Sequence, residues 1–218
     1  WLKPIGDAAY CAGINRFILH RFPQQPWNAK YKPGATMGCW GTHFDRTQTW
    51  WEPGKALVKY WQRCQALLQW GKIAPLDFSA TGLPITAIHR RANRADLWFV
   101  ANPLECGGYA RCVFKTSGYQ AELWDPVTGE MRNLPEFTDS DGQTELTLKF
   151  APTQSFFVVF RKHGKPTSGE NFPLLRQVTE VTGPWNVSFD PKWGGPASVK
   201  FDKLDDWTKR PEPGIRFY

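Results

Sequence analysis

Apolar residues recur at helical spacing in the region after residue 55. The stripe consists of Leu57, Tyr60, Trp61, Cys64, Leu67 and Leu68. Side chains at such i, i+3, i+4 and i+7 intervals lie on one face of a helix. Pro53 suits the first turn of this helix, and Gly71 suits its C-terminal stop. The pattern predicts an amphipathic helix over residues 55–70.

A helix and a strand are predicted before this helix. Residues 4–14, PIGDAAYCAGI, read as the end of a helix that stops near Gly13. Residues 15–20, NRFILH, form a short apolar run typical of a buried strand. The order helix, strand, long loop, helix is typical of a parallel α/β fold. In such folds the segment that leaves the C-terminal end of a strand carries the functional site.

That segment, residues 23–51, has an unusual length and composition. It spans about 29 residues, whereas connections between a strand and a helix usually have about 2–6. It is almost free of aliphatic residues and contains four tryptophans, at positions 27, 40, 50 and 51. A connection of such length indicates a functional role.

Residues 77–162 change to the period of two that is typical of antiparallel strands. Strands are predicted at residues 84–91, 95–103, 121–126, 130–134, 144–150 and 155–161. Short strands with turn signals at this spacing predict a β-sandwich. We expect its core to contain Leu146, Leu148, Phe150, Phe156, Val158 and Phe160, with Trp98 and Trp124 packed nearby.

The remaining residues suggest a linker and an incomplete domain. Residues 163–176 are polar and contain glycine and proline, which is typical of a linker. Residues 177–218 open like another β domain but are too few for a complete sandwich of ~100 residues. The predicted fold class is therefore α+β with several domains.

Charge and hydropathy exclude two classes of function. The formal net charge is +7, but the basic residues are dispersed and no helix-turn-helix or RNP-like pattern is present. We therefore expect no nucleic-acid partner. No apolar run approaches the ~20 residues of a membrane span. The chain has no initiator Met and no signal-peptide layout, so we expect it to begin within a longer protein.

The five cysteines show no metal-ligand spacing. Cys11 and Cys64 stand in apolar, helix-like surroundings and read as reduced core thiols. Cys106 and Cys112 flank GGYAR, where they either pair across a hairpin or remain free.

The composition of the tryptophan-rich segment suits a sugar. A pyranose presents C–H groups on its faces and hydroxyls on its rim, so it requires aromatic walls and a few polar groups. Candidate walls are Trp27, Trp40, Trp50 and Trp51, and candidate rim contacts are His20, Gln25, His43, Asp45 and Arg46. Two alternatives stay open: Trp50 and Trp51 instead cover a helix, or Asp45 and Arg46 form a salt bridge that shapes the loop.

Five stretches of the chain carry a resemblance to a known family. They are AAYCAGINRFILHRFPQQPW, PGATMGCWGTHFDRTQTWW and VKYWQRCQALLQWGK, and later AELWDPVTGEMRNL and SFFVVFRK. The first three resemble the end of the catalytic barrel, and the last two the β-sandwich after it, in glycoside hydrolase family 106, the α-L-rhamnosidases. GPWNVSFDPKWGGP and LDDWTKRPEPGIRFY are similar to the start of a galactose-binding-like jelly roll. One departure is Gln24-Gln25-Pro26-Trp27, where the family pattern leads us to expect His-Gln-Pro-Trp. A glutamine there cannot titrate.

The resemblance implies a domain organisation and an activity. Residues 1–76 would be the C-terminal end of a (β/α)8 catalytic barrel, residues 77–162 a β-sandwich, and residues 177–218 a truncated galactose-binding-like domain. The parent protein would cleave terminal α-L-rhamnosyl residues from glycans in the periplasm or outside the cell. The barrel of the parent protein would bind calcium, and no cofactor is assigned to this chain. The missing N-terminal barrel would be the structural partner of residues 1–76.

A count of acidic residues agrees with that division. A glycosidase requires two carboxyl groups, and residues 1–76 contain only Asp7, Asp45 and Glu52. Asp7 lies on the first predicted helix, away from the end of the strand, and Glu52 suits a helix N-terminus. We therefore expect the catalytic carboxylates upstream of residue 1 and leave them unassigned. A non-catalytic carbohydrate-binding module and a purely structural β-sandwich are the competing hypotheses.

Overall fold

The structure is a computed structural model that describes residues 2–20, 22–26, 29–31, 34–35, 43–46, 48–174 and 176–216. The chain divides into two units, residues 1–173 and residues 174–218. Each unit is described by itself below.

Two helices open the first unit. Helix α1 spans Leu2–Cys11 and helix α2 spans Trp51–Leu68. The predicted amphipathic helix is confirmed, although it begins four residues before position 55 and ends two before position 70. Its apolar stripe is its buried face. Gly71 follows with φ +70°, and a Cβ at this position would lie 2.1 Å from the Arg91 carbonyl oxygen, so this turn requires glycine.

The predicted strand at residues 15–20 is wrong. These residues have no regular secondary structure, and the Ile18 side chain is 91% exposed. A strand is stable only when its backbone groups pair with a neighbour. Among the described residues, no ladder pairs with residues 15–20. The apolar run therefore follows α1 as an irregular segment.

Two antiparallel sheets form the rest of the first unit. The six-stranded sheet has the order β1-β3-β4-β10-β6-β7, with β1 Lys72–Ile73, β3 Thr86–Ala92, β4 Ala95–Ala101, β10 Ser155–His163, β6 Tyr119–Trp124 and β7 Met131–Asn133. The four-stranded sheet has the order β2-β5-β9-β8, with β2 Phe78–Thr81, β5 Gly108–Phe114, β9 Gln143–Phe150 and β8 Thr138–Ser140. All six predicted strands are present, whereas β1, β2, β5 and β8 were missed.

The first core lies between the two sheets. All six side chains predicted from β9 and β10 are buried in the described structure. Trp98 belongs to this core, where its ring contacts Phe114 and Phe160 edge-on. Trp124 is buried as well. The prediction that these two tryptophans are packing residues and not a flat sugar-binding face is therefore confirmed.

A second core lies on the other face of the six-stranded sheet. There Leu97, Phe99, Phe157 and Val159 pack against Tyr10, Tyr60, Trp61, Cys64 and Leu68 of the two helices. Strands β4 and β10 are consequently buried on both faces. The first unit therefore has three layers, with helices, a six-stranded sheet and a four-stranded sheet.

The cysteines described are all free. Pairing of Cys106 with Cys112 is wrong, because Cys112 lies within β5 and faces the first core while Cys106 is exposed before that strand. Cys64 is a buried thiol, as predicted, and Cys11 is half-buried. Burial raises the pKa of Cys64 to about 12 and that of Cys11 to about 11.

The second unit contains a two-stranded antiparallel sheet. Its elements are β11 Trp185–Val187, β12 Val199–Phe201, two short 3-10 helices at Pro191–Trp193 and Trp207–Lys209, and α3 Pro213–Arg216. Phe189, Phe201 and Ile215 form its small core. The assignment of this unit to a galactose-binding-like jelly roll stays a prediction.

Candidate functional site

The candidate site belongs to the segment between α1 and α2. An isolated bridge closes part of this segment, because the backbone amides of Gln24 and Ala35 each donate to the other residue's carbonyl at 2.9 Å. Gly34 has φ +108°, and a Cβ there would lie 2.3 Å from the Gln24 carbonyl oxygen. Close backbone approach at this bridge therefore requires glycine.

An apolar groove of about 740 Å³ lies where the segment enters α2. Its aromatic lining comes from Phe44, Trp50, Trp51 and Trp61. The rings of Phe44 and Trp50 meet edge-to-face, with centroids 5.4 Å apart and planes at 76°. This contact fixes the Trp50 indole, which remains 36% exposed, as one wall of the groove.

Polar groups stand among these aromatic walls. Lys55, Lys59 and Gln62 of α2 line the same groove. They follow Trp51 at intervals that keep them on the outer side of the helix, opposite the stripe that packs on the sheet. Aromatic walls with a few hydrogen-bonding groups are the general requirement of a sugar site, and sugar binding at this groove stays a prediction.

The structure locates six of the eight predicted site residues. Trp50 lines the groove, His20 and Arg46 are exposed, Gln25 and His43 are half-buried, and Asp45 is buried. Trp27 and Trp40 lie outside the described residues. From the length and composition of the segment we expect His20, Trp40, His43 and Arg46 to converge on one concave surface, and this stays a prediction.

Trp50 and Trp51 are adjacent, yet both line the groove. Trp50 is the N-cap residue of α2, and Trp51 is the first residue of that helix. Phe44, Lys55 and Lys59 also line the groove, although they were not among the residues predicted for the site. Phe44 lies between two predicted site residues, His43 and Asp45, and this position in the sequence could have identified it as a lining residue.

The three acidic residues of residues 1–76 have distinct surroundings. Asp7 is buried at the contact of α1 with α2, where it accepts a hydrogen bond from the Tyr60 hydroxyl. Glu52 lies in the exposed first turn of α2 and pairs with Lys55. Asp45 is buried within the segment, and its backbone carbonyl accepts from the Gln48 amide at 3.2 Å.

Among the residues that the structure describes, no group of three or more His, Cys, Asp or Glu side chains is arranged to hold a metal ion. Likewise, no helix that the structure describes is long and apolar enough to cross a membrane.

Comparisons with known proteins point to glycosidases. Residues 1–77 match the glycoside hydrolase family 106, described as alpha-L-rhamnosidase. A Formosa agariphila protein provisionally named a beta-glucuronidase is 44% identical over 88 residues, which are 39% of this chain and 7% of that protein. The rhamnosidase structure from Novosphingobium sp. PP1Y has 30% identity and a TM-score of 0.55, with 66% of this chain and 14% of that chain covered.

The chain thus spans a small part of the relatives that it matches. The matched residues include α1, the segment with the groove, and α2. The resemblance to the α-L-rhamnosidases of glycoside hydrolase family 106 is therefore confirmed, and it rests on residues 1–77 together with the likeness to a solved rhamnosidase.

Proposed function

We propose that this chain is part of a glycoside hydrolase that removes terminal α-L-rhamnosyl residues from glycans, and that it supplies one wall of the sugar site. The observation that carries the proposal is that the family match covers the residues that form the aromatic groove. The likeness to the Novosphingobium rhamnosidase supports it.

The proposal includes an architecture for the longer protein. Residues 1–76 are the end of its (β/α)8 barrel, and residues 177–218 begin a galactose-binding-like domain. The catalytic carboxylates, and any calcium, belong to the barrel strands that precede this chain. The enzyme acts in the periplasm or outside the cell, where rhamnosylated polysaccharides are accessible.

The chemistry of this chain in that enzyme is binding and orientation. Trp50, held by Phe44, presents an indole to the C–H face of a sugar. Lys55, Lys59 and Gln62 are the hydrogen-bonding side chains of α2 that line the groove with it. A wall that orients the sugar lowers the entropic part of the barrier without a proton transfer of its own.

The substrate is tested with the longer polypeptide that contains this chain. We expect release of p-nitrophenol from p-nitrophenyl α-L-rhamnoside. The name of the Formosa agariphila relative makes p-nitrophenyl β-D-glucuronide the competing substrate. Turnover of the glucuronide alone would overturn the assignment to rhamnosides, and turnover of neither would overturn the proposed glycosidase.

The role of the groove is tested with two matched tryptophan variants. Trp50→Ala removes an indole that is 36% exposed and lines the groove, whereas Trp70→Ala removes one that is 39% exposed at the other end of α2. We expect Trp50→Ala to raise KM about tenfold, which corresponds to ~1.4 kcal/mol of binding. Trp70→Ala should leave KM unchanged. Equal KM values in both variants would show that the groove does not contact the sugar.

A further inference from the structure

Four polar side chains meet at the buried contact between the two helices and the six-stranded sheet. Lys3 Nζ donates to Asp7 Oδ2 at 2.7 Å, to Ser155 Oγ at 2.9 Å and to the Thr153 carbonyl oxygen at 2.8 Å. The Tyr60 hydroxyl donates to Asp7 Oδ1 and lies 2.9 Å from Ser155 Oγ. Lys3, Asp7, Tyr60 and Ser155 are called the polar cluster below.

The hydrogen bonds of the polar cluster form a closed set. The three N–H groups of Lys3 are all used, and the proton of Tyr60 goes to the Asp7 carboxylate. Ser155 therefore donates to the Tyr60 oxygen while it accepts from Lys3. Burial, with the nearby Cys64 and Asp7, raises the pKa of Tyr60 above its ordinary value, so its hydroxyl keeps the proton.

The polar cluster draws its four residues from three different elements. Lys3 and Asp7 lie on α1, Tyr60 on α2, and Ser155 is the first residue of β10. The cluster therefore joins both helices to the centre of the six-stranded sheet. Because a buried polar group without its partner is costly, the helices are held in one register on the sheet.

Two arginines also hold α2 against the six-stranded sheet, Arg63 of α2 itself and Arg90 of β3. Arg63 Nη1 donates to the carbonyl oxygens of Pro126 and Val127, at 3.0 and 2.7 Å, in the turn between β6 and β7. Arg90 of β3 donates through Nη2 to the Gly71 carbonyl oxygen at 2.8 Å, just beyond the end of α2. Helix α2 is thus bound to the sheet at two points along its length, and the turn just beyond its end is bound at a third.

The polar cluster is linked to the groove through residues next to it in the chain. Leu2 and Trp61 line the groove, and each is the chain neighbour of a cluster residue, Lys3 or Tyr60. A shift of either helix on the sheet therefore moves a groove wall. It also moves the ends of the segment between α1 and α2, which carries the candidate site residues.

We propose that the polar cluster is a positioning site: it fixes α1 and α2 on strand β10 and thereby sets the geometry of the glycan groove. This inference rests on the proposed function, because the groove that the cluster positions is the one proposed to bind the glycan. The β-sandwich is then a part of the sugar site's framework, because Ser155 belongs to it.

The test uses the longer polypeptide that contains this chain, with Ser155→Ala and Tyr60→Phe as cluster variants. The matched control is Thr144→Val, which removes a buried hydroxyl that donates to the Thr116 carbonyl at 2.8 Å in the other sheet. Kinetics on p-nitrophenyl α-L-rhamnoside and amide hydrogen exchange of α1, α2 and β9 are measured for each protein.

We expect both cluster variants to raise KM by about fivefold or more, because a displacement of ~1 Å at a binding wall is enough to impair catalysis. Exchange in α1 and α2 should be about tenfold faster, with exchange in β9 unchanged. Thr144→Val should leave KM and the exchange of the helices unaltered. A mere loss of folded enzyme would lower kcat without a change in KM, so KM separates positioning from stability.

The outcomes separate this inference from the proposed function. If cluster variants match Thr144→Val in KM and in exchange of the helices, the positioning role is wrong. If the unsubstituted polypeptide hydrolyses neither glycoside, the proposed function fails. The exchange of α1 and α2 then decides whether the cluster fixes the helices: exchange that stays as slow as in Thr144→Val overturns it.

Discussion

At the scale of single residues, a buried histidine connects the start of the sandwich to the strand pair β3–β4. His89 Nδ1 lies 2.6 Å from the Pro75 carbonyl oxygen, and Nε2 lies 2.7 Å from Asp96 Oδ1. The His89 ring stacks on Trp98 with centroids 3.8 Å apart. Arg91 Nε also donates to Asp96 Oδ1 at 2.7 Å. Burial raises the pKa of Asp96, but the hydrogen bonds from His89 and Arg91 outweigh it, and the pKa is lowered.

This lowered pKa predicts an acid-sensitive contribution to stability. A carboxylate with a lower pKa in the folded state stabilises the protein above its unfolded pKa of ~3.9, and this stabilisation is lost as pH falls through the folded pKa. We expect Asp96→Asn to reduce the free energy of unfolding near pH 7 by about 1–3 kcal/mol. The variant should also lose less stability than the original protein below about pH 4.

Urea unfolding measured from about pH 7 to about pH 3 tests this prediction. The control is Asp141→Asn, at an exposed turn position with φ +54°, which asparagine tolerates. Its unfolding free energy should follow that of the original protein at every pH. Parallel pH profiles for the original protein and Asp96→Asn would show that Asp96 contributes nothing to acid sensitivity.

At the scale of elements, the two faces of α2 have different surroundings. Its buried face packs in the second core, where Leu68 is 1% exposed. Its other face lines the groove, where Val58 is 42% exposed. The burial of one stripe explains why this helix holds its place on the sheet, since propensity alone rarely stabilises a helix of this length.

These two faces should respond differently to truncation. Leu68→Ala leaves a cavity in the second core and should reduce the free energy of unfolding by about 2–5 kcal/mol. Val58→Ala, on the same helix, should change it by no more than about 0.5 kcal/mol. Urea unfolding of this chain measures both. Similar losses from the two substitutions would contradict the assignment of the buried face.

At the scale of the whole molecule, the described part of residues 1–76 does not form a barrel. The strand found there, β1, pairs with β3 and so belongs to the sheet of the sandwich. A (β/α)8 barrel requires eight parallel strands. If residues 1–76 belong to such a barrel, its strands come from other parts of the longer polypeptide.

We therefore predict that this chain, made alone, does not hydrolyse rhamnosides. Two carboxyl groups must flank the scissile bond, and here Asp7 is bound to Tyr60 while Glu52 pairs with Lys55 at the exposed start of α2. Release of p-nitrophenol from p-nitrophenyl α-L-rhamnoside, with calcium present, measures this. Turnover near that of the longer polypeptide would overturn the placement of the catalytic carboxylates and make Asp45 and Glu52 the first residues to substitute.

The sequence by itself determined the elements whose signals are local. The stripe from Leu57 to Leu68 predicted α2, because the hydrogen bonds of a helix join residues four apart and its buried face repeats with the same period. The alternation over residues 144–150 predicted β9 and its buried side chains. The sequence also supplied the aromatic composition of the site segment and the family resemblance that residues 1–77 confirm.

Only the tertiary structure decided which elements pair and which polar groups meet. The apolar run at residues 15–20 reads like a strand, but a strand depends on a partner that its own sequence does not specify. Sheet pairing likewise decided that Cys112 faces the core and is not part of a disulfide. The polar cluster joins residues that are far apart in the chain. Asp7 and Tyr60 are separated by 53 residues, and Tyr60 and Ser155 by 95. No periodicity encodes such contacts, because they arise when separately formed surfaces pack together.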